Sequence, residues 1–149
     1  MAVLINKQVG FIVEGGYRAV ADTKPGQFVI VNYENKTATA VASTPTGGEP
    51  AKLVLQRNNT IDQQAVADSD VVYKKDEFLP LRTPQLGDVF TTDQFSGDYE
   101  TIKNGDKFIL GSDGKVKTGT PETGSLGFAV KDKTTLFGNN AIKLEVTVV

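Results

Sequence analysis

Carboxylates gather at Asp88, Asp93, Asp98 and Glu100, side chains that could hold a hard cation or act as an acid and base pair. Their spacing matches no calcium-binding loop. Strand ends and turns collect Asp for local backbone hydrogen bonds, so turn chemistry is the expected use of all four. Gly111-Ser112-Asp113-Gly114-Lys115 has the composition of a phosphate-cradling loop, but the spacing to an earlier glycine fails and no helix follows, which leaves a hairpin turn. Thr123-Gly124-Ser125-Leu126-Gly127 approaches a nucleophile elbow, with Thr123 standing where the first glycine belongs. No histidine exists in the chain to serve Ser125.

The absence of His and Cys narrows the chemistry further. It removes the usual general base, the imidazole and thiolate metal ligands, the disulfides and the cysteine nucleophiles. The expectation is a protein that is not an enzyme and carries no cofactor or metal. An enzyme using carboxylates alone would have Asp88, Asp93 and Asp98 as its candidates, with two carboxyl groups about 5 to 9.5 Å apart across a cleft. Net charge is -2, with Lys and Arg scattered among acids, so no electrostatic footprint for nucleic acid is present. The N-terminus lacks a basic segment followed by a long apolar one, and no stretch approaches the ~20 apolar residues that span a bilayer. A soluble product of a cytoplasm, without a membrane partner, is expected. Asn35-Lys36-Thr37 and Asn58-Asn59-Thr60 fit the glycosylation pattern in letters only, because no secretion signal is read.

These residues are positioned by strands. With 15 Gly and 6 Pro in 149 residues, the chain is rich in turns and long enough for one core. Asn104-Gly105 and Asp113-Gly114 take positive φ at low cost, so residues 99–130 read as strands running up, down and up around two tight turns. Gly127 interrupts an apolar run where a bulge or a close backbone contact is expected. Residues 26–33 and 37–41 form a second hairpin about Glu34-Asn35-Lys36, and 51–56 a short strand. The run Gly26-Gln27-Phe28-Val29-Ile30 echoes Gly105-Asp106-Lys107-Phe108-Ile109, an echo that shared turn chemistry explains without a repeat. Thr60-Ile61-Asp62-Gln63 fits a capping box for a short helix over 61–67. Pro80 removes a ladder donor and consigns any strand there to an edge. Ile142, Leu144, Val146 and Val148 alternate with Lys143, Glu145 and Thr147, a period of two that buries one face. Together these elements predict an all-β fold: a small antiparallel β-barrel or sandwich with hairpins, at most one short helix and an extended N-terminal arm. Residues 1–25 are that arm or an ordinary first strand, and 26–149 a single β-rich domain. The twelve aromatic rings, eight Phe and four Tyr, are scattered. They suit packing better than a stacking platform, for which Tyr73, Phe78 and Tyr99 are the candidates.

From Asn104-Gly105-Asp106-Lys107-Phe108 through Asp113-Gly114-Lys115-Val116 to Gly124-Ser125-Leu126-Gly127-Phe128-Ala129-Val130, the chain resembles the bacteriophage capsid decoration, or cement, proteins. The shared pattern is a GD-led strand, a DGKV-like hairpin and a G-x-A-V-like strand, over roughly the C-terminal half. The resemblance implies a small β-rich subunit, commonly a homotrimer, on the exterior of an expanded virion shell, stabilising it by bridging the major capsid protein. It implies an N-terminal arm holding neighbouring subunits, with Val3, Leu4, Ile5, Phe11 and Val13 as the apolar anchors. Asn104, Gly105, Asp113, Gly114 and Gly127 are then fold-defining turn residues. Other small virion subunits, of tail tubes or head completion, are also β-rich, and a carbohydrate-binding or host-surface module is the alternative of another class.

Overall fold

The computed structural model describes residues 3–7, 14–43, 51–56, 72–136 and 138–149. Among them the chain is all-β. In order it runs β1 (Val3–Lys7), β2 (Glu14–Ala19), β3 (Phe28–Asn32), β4 (Thr37–Ala40), β5 (Ala51–Val54), β6 (Phe78–Arg82), β7 (Val89–Thr92), β8 (Lys107–Leu110), β9 (Val116–Thr118), β10 (Gly127–Leu136) and β11 (Asn139–Val148). The helix expected over 61–67, the Asn58-Asn59-Thr60 acceptor, and Phe11 and Val13 of the arm lie outside the described residues.

Strands β2-β4-β3-β5-β6 close into a barrel, and the remaining six form a sheet in the order β1-β7-β11-β10-β8-β9. The two assemblies have one plan. The barrel is closed by a parallel pairing of β2 with β4, Ala19 opposite Ala38. In the sheet the corresponding join is a single parallel bridge between Phe95, just past β7, and Val116 of β9. Val20 N–H donates to Ala38 O at 3.0 Å, and Ser96 N–H to Val116 O at 2.9 Å, in the same positions. Setting β2-β6-β5-β3-β4 on β7-β11-β10-β8-β9 therefore matches strand order, strand direction and closure.

The register matches as well. Phe28, Val29 and Ile30 face Leu53, Lys52 and Ala51, while Lys107, Phe108 and Ile109 face Ala129, Phe128 and Gly127. The echo between residues 26–30 and 105–109 is thus a correspondence of structure, residue for residue. Four inward positions are apolar and buried in both copies (Val29 and Phe108, Val31 and Leu110, Ala38 and Val116, Val54 and Val130), while buried Lys52, opposite Val29, stands where Phe128 does.

Four strands are launched by one kind of turn. At 24–27, 74–77, 85–88 and 103–106 the fourth residue donates its N–H to the first residue's carbonyl, and its side chain accepts the first residue's N–H. The third residue has positive φ: Gly26 91°, Asp76 70°, Gly87 89° and Gly105 91°. Its N–H and the next carbonyl then bracket one residue of the adjacent strand (Val54, Ala19, Val146 and Val130) with bonds of 2.7–2.9 Å. Gln27, Glu77, Asp88 and Asp106 are therefore turn-closing groups, which is what short polar side chains at such positions do.

Two expectations are corrected. Residues 99–101 form a 3-10 turn, not a strand, because Asp98 caps it by accepting Glu100 N–H at 3.0 Å. Strand β10 then pairs with β8 and not with β9, so β8 is central and the order is β10-β8-β9. Pro80 does not mark an edge: β6 is a stave of the closed barrel. Leu55 N–H donates to Pro80 O at 2.8 Å, and Leu55 O, the acceptor a donor at position 80 would use, receives the Tyr73 hydroxyl at 2.8 Å. A side chain thereby replaces the missing ladder bond.

One apolar cluster, built on Tyr17, Val29, Val31, Val54, Tyr73, Leu79 and Leu81, fills the barrel. The other spans the sheet and the barrel face against it. At their junction Phe28 lies edge-on to Phe90 at 5.9 Å and tilted to Phe128 at 5.4 Å. The hairpin turn between β8 and β9 is seated there too, with Gly114 N–H on Val41 O at 2.8 Å and Gln27 Nε2 on Asp113 O at 2.6 Å.

Candidate functional site

Three of the four clustered carboxylates, Asp88, Asp93 and Asp98, are engaged locally. Asp88, 5% exposed, accepts Arg82 Nε and Nη2 at 2.9 Å each and Gln85 N–H at 3.0 Å. Asp93 accepts Gln94 Nε2 at 2.8 Å and Asn139 Nδ2 at 3.3 Å. Asp98 is a cap, and Glu100 follows it in the exposed 3-10 turn. No group of three or more acidic residues among the described residues is arranged to hold a metal ion. What Asp88, Asp93 and Asp98 do chemically is fix backbone amides, the side-chain amides of Gln94 and Asn139, and one buried guanidinium.

The residues chosen from turns and arm fall as follows. Val3, Leu4 and Ile5 lie in β1, whose backbone pairs antiparallel with Thr92, Thr91 and Phe90 of β7 at the margin of the sheet. Asn104 and Gly105 are central in the turn that launches β8. Asp113 (φ 57°) and Gly114 (φ 68°) form the hairpin turn between β8 and β9. A Cβ at Gly114 would stand 2.5 Å from Phe28 O, so that turn also serves the contact between barrel and sheet. Gly127 lies at a register shift in β10, and a Cβ there would collide with the Pro121 ring.

The three candidate stacking rings do not make one shelf. Tyr73 is inside the barrel, 1% exposed, while Phe78 is outside it. Tyr99 is half-buried, lies under Lys133 Nζ at 4.7 Å from the ring centre, and donates its hydroxyl to Thr134 O at 3.0 Å.

Two exposed groups that pattern reading passes over adjoin each other: Arg18 and Phe78 on the outer wall of the barrel, and Lys36 and Tyr33 on the β3–β4 turn, which lies over the inward Tyr17 and accepts Arg18 N–H at Lys36 O at 2.9 Å. Arg18 is cross-strand from Phe78 and its guanidinium carbon lies 4.8 Å from that ring's centre. Lys36 Nζ lies 5.6 Å from the centre of the Tyr17 ring, which is edge-on to Tyr33 at 6.2 Å. Val20, Tyr33 and Phe78 are 44%, 55% and 52% exposed. These residues come from three separated stretches, so sequence spacing carried no signal of their meeting. No protein-family model matches the chain, and no curated protein matches it. No helix among the described residues is long and apolar enough to cross a membrane.

Proposed function

We propose that this chain is a structural virion protein that binds the outer surface of an assembled bacteriophage capsid as a homotrimer and stabilises the shell by bridging major capsid subunits. The observation that carries the reading is the fate of the chemistry-bearing residues: Asp88 holds a turn and the Arg82 guanidinium, Asp98 holds a cap, Asp93 holds two side-chain amides, and Glu100 lies in the exposed 3-10 turn, a use suited to a rigid binding body. Support also comes from the stretch that bears the resemblance, which folds as the unit β10-β8-β9 with its glycines at positions where a side chain would clash or strain the backbone. Strand β1 adds a backbone-paired margin that an N-terminal arm can use. Stabilisation is mechanical, since added interface area opposes the outward load on the shell and several modest contacts per trimer multiply.

The test is co-sedimentation of the purified protein with expanded shells, with unexpanded shells and with unassembled capsid subunits, alongside its mass in solution. Binding confined to expanded shells by a trimer is expected. Equal binding to free subunits, or none to any shell, overturns the reading, and a hexameric ring turns it toward a tail tube.

A further inference from the structure

The cluster on the outer wall of the barrel is not required by the barrel plan. In the second assembly the parallel bridge at Ala38 and Val116 sets Val20 on Ser96, while the antiparallel pairs Tyr17 with Leu79 and Thr92 with Ile142 leave β7 one residue longer before that bridge, so the place of Arg18 falls at Asp93 and Gln94, neither of them a cation. The position of Phe78 is held by Ala141, fixed by the matching pairs Val54 with Leu81 and Val130 with Leu144. Gln94 and Ala141 are buried, at 3% and 0% exposure. The same architecture therefore closes without an aromatic ring or a cation at these places. In the first barrel they face water, and three of the five large exposed apolar side chains among the described residues, Val20, Tyr33 and Phe78, lie here.

The charges point to the occupant. Arg18 and Lys36 make no ion pair among the described residues, and each lies over an aromatic face. A ring holds a cation in place without neutralising it, so the guanidinium keeps N–H donors for a carboxylate. Exposed rings beside an Arg are the composition of the centre of protein interfaces. On a chain of net charge -2, two uncompensated cations set among exposed apolar groups complement an acidic protein surface.

We propose that the wall residues Arg18, Val20 and Phe78, together with Tyr33 and Lys36 on the β3–β4 turn that adjoins them at Arg18, form the docking face of the protein, and that its occupant is a protein surface presenting carboxylates around an apolar anchor. Naming the shell subunit as that occupant rests on the decoration reading; the chemistry of the face does not.

Two measurements are made on the full chain. The first is an amide-shift titration with a peptide of alternating Glu and Leu and with its Lys and Leu counterpart. The second is shell co-sedimentation of Arg18→Glu with Lys36→Glu, of Phe78→Ser, and of Leu86→Ser as an exposed control away from the face, with melting temperatures confirming the fold. Saturable shifts at this wall with the acidic peptide only, and about a tenfold fall in shell occupancy for the first two variants but not the control, are expected. Shell binding that the wall variants leave intact overturns the docking face and spares the decoration reading. Acidic-peptide binding at the wall without shell binding does the reverse. No shift at the wall with either peptide and no shell binding overturns both.

Discussion

Arg82 and Asp88 meet through two hydrogen bonds of 2.9 Å across the short link that joins the barrel to the sheet. Arg82 is the last residue of β6 and Asp88 closes the turn that launches β7, so the pair fixes where the second assembly begins. Both are nearly inaccessible, at 1% and 5% exposure. Removing one partner leaves a buried charge without its counterpart, so Arg82→Met is expected to cost about 3–5 kcal/mol. Urea unfolding measures it, and a loss below about 1 kcal/mol would place the pair with exposed ones.

Phe28 is fully buried and touches rings from β7 and β10. Phe28→Ala should lose about 3–5 kcal/mol, because the rings around it are held by two different strands and cannot collapse into the gap. Phe78→Ala, on the open wall, should lose under about 1 kcal/mol, the scale of its contact with Arg18. Equal losses at the two sites would mean that Phe28 does not join the two assemblies.

Two glycines with positive φ separate backbone strain from steric conflict. Nothing lies within 4 Å of a Cβ at Gly105, so Gly105→Ala should cost about 1–2 kcal/mol from conformation alone. At Gly114 the Cβ would also meet Phe28 O, and Gly114→Ala should cost clearly more. Replacing Asp113-Gly114 by Val-Val should abolish the fold and, with it, assembly. Parity of the two single variants in thermal melts would remove the seating of this turn on the barrel.

Asp106 closes its turn by accepting Lys103 N–H at 2.8 Å. Asp106→Ala should cost about 1 kcal/mol, and Gln27→Ala at the equivalent turn more, since Gln27 also donates to Asp113 O. The comparison is read from denaturation midpoints, and a larger loss for Asp106 would deny Gln27 its second role.

The Asp22 carboxyl is held below its ordinary value of 3.8, first by the Lys75 N–H at 3.0 Å, with the Lys74 ammonium at 3.4 Å assisting against slight desolvation. A depressed carboxyl contributes stability above its unfolded-state pKa and loses that contribution as pH falls through the lower folded value. Asp22→Asn should therefore flatten the acid limb of the stability curve below pH 3.8 and matter least in strong acid. A side-chain carbon titration that places Asp22 at or above 3.8 sinks this account.

Turn chemistry was the most readable layer of the sequence. Asp113-Gly114 and Asn104-Gly105 announce their backbone needs in two letters, and Ile142, Leu144 and Val146 announce a buried face by alternation. The common plan of barrel and sheet was far less readable. Most inward positions that share register ask only for an apolar side chain, so Val29 stands where Phe108 does, while the inward pair Lys52 and Phe128 and the outward pair Phe28 and Lys107 diverge further. The docking wall was hidden for a different reason. Arg18, Tyr33 and Phe78 come together only when the barrel closes, and nothing local distinguishes an exposed Phe from a buried one.

Two assemblies with one register in one chain expose the protein to a particular error during synthesis, because β3 can attempt the place of β8 against β10, or β8 the place of β3 against β5. The hydrogen-bond ladder cannot tell these apart. Lys107 in place of Phe28 would put an ammonium between Phe90 and Phe128, and Phe28 in place of Lys107 would leave a benzyl group in water and the aromatic junction empty. The divergence at that one pair of positions thus works as an address label, rejecting the crossed pairing that the shared backbone geometry would otherwise permit.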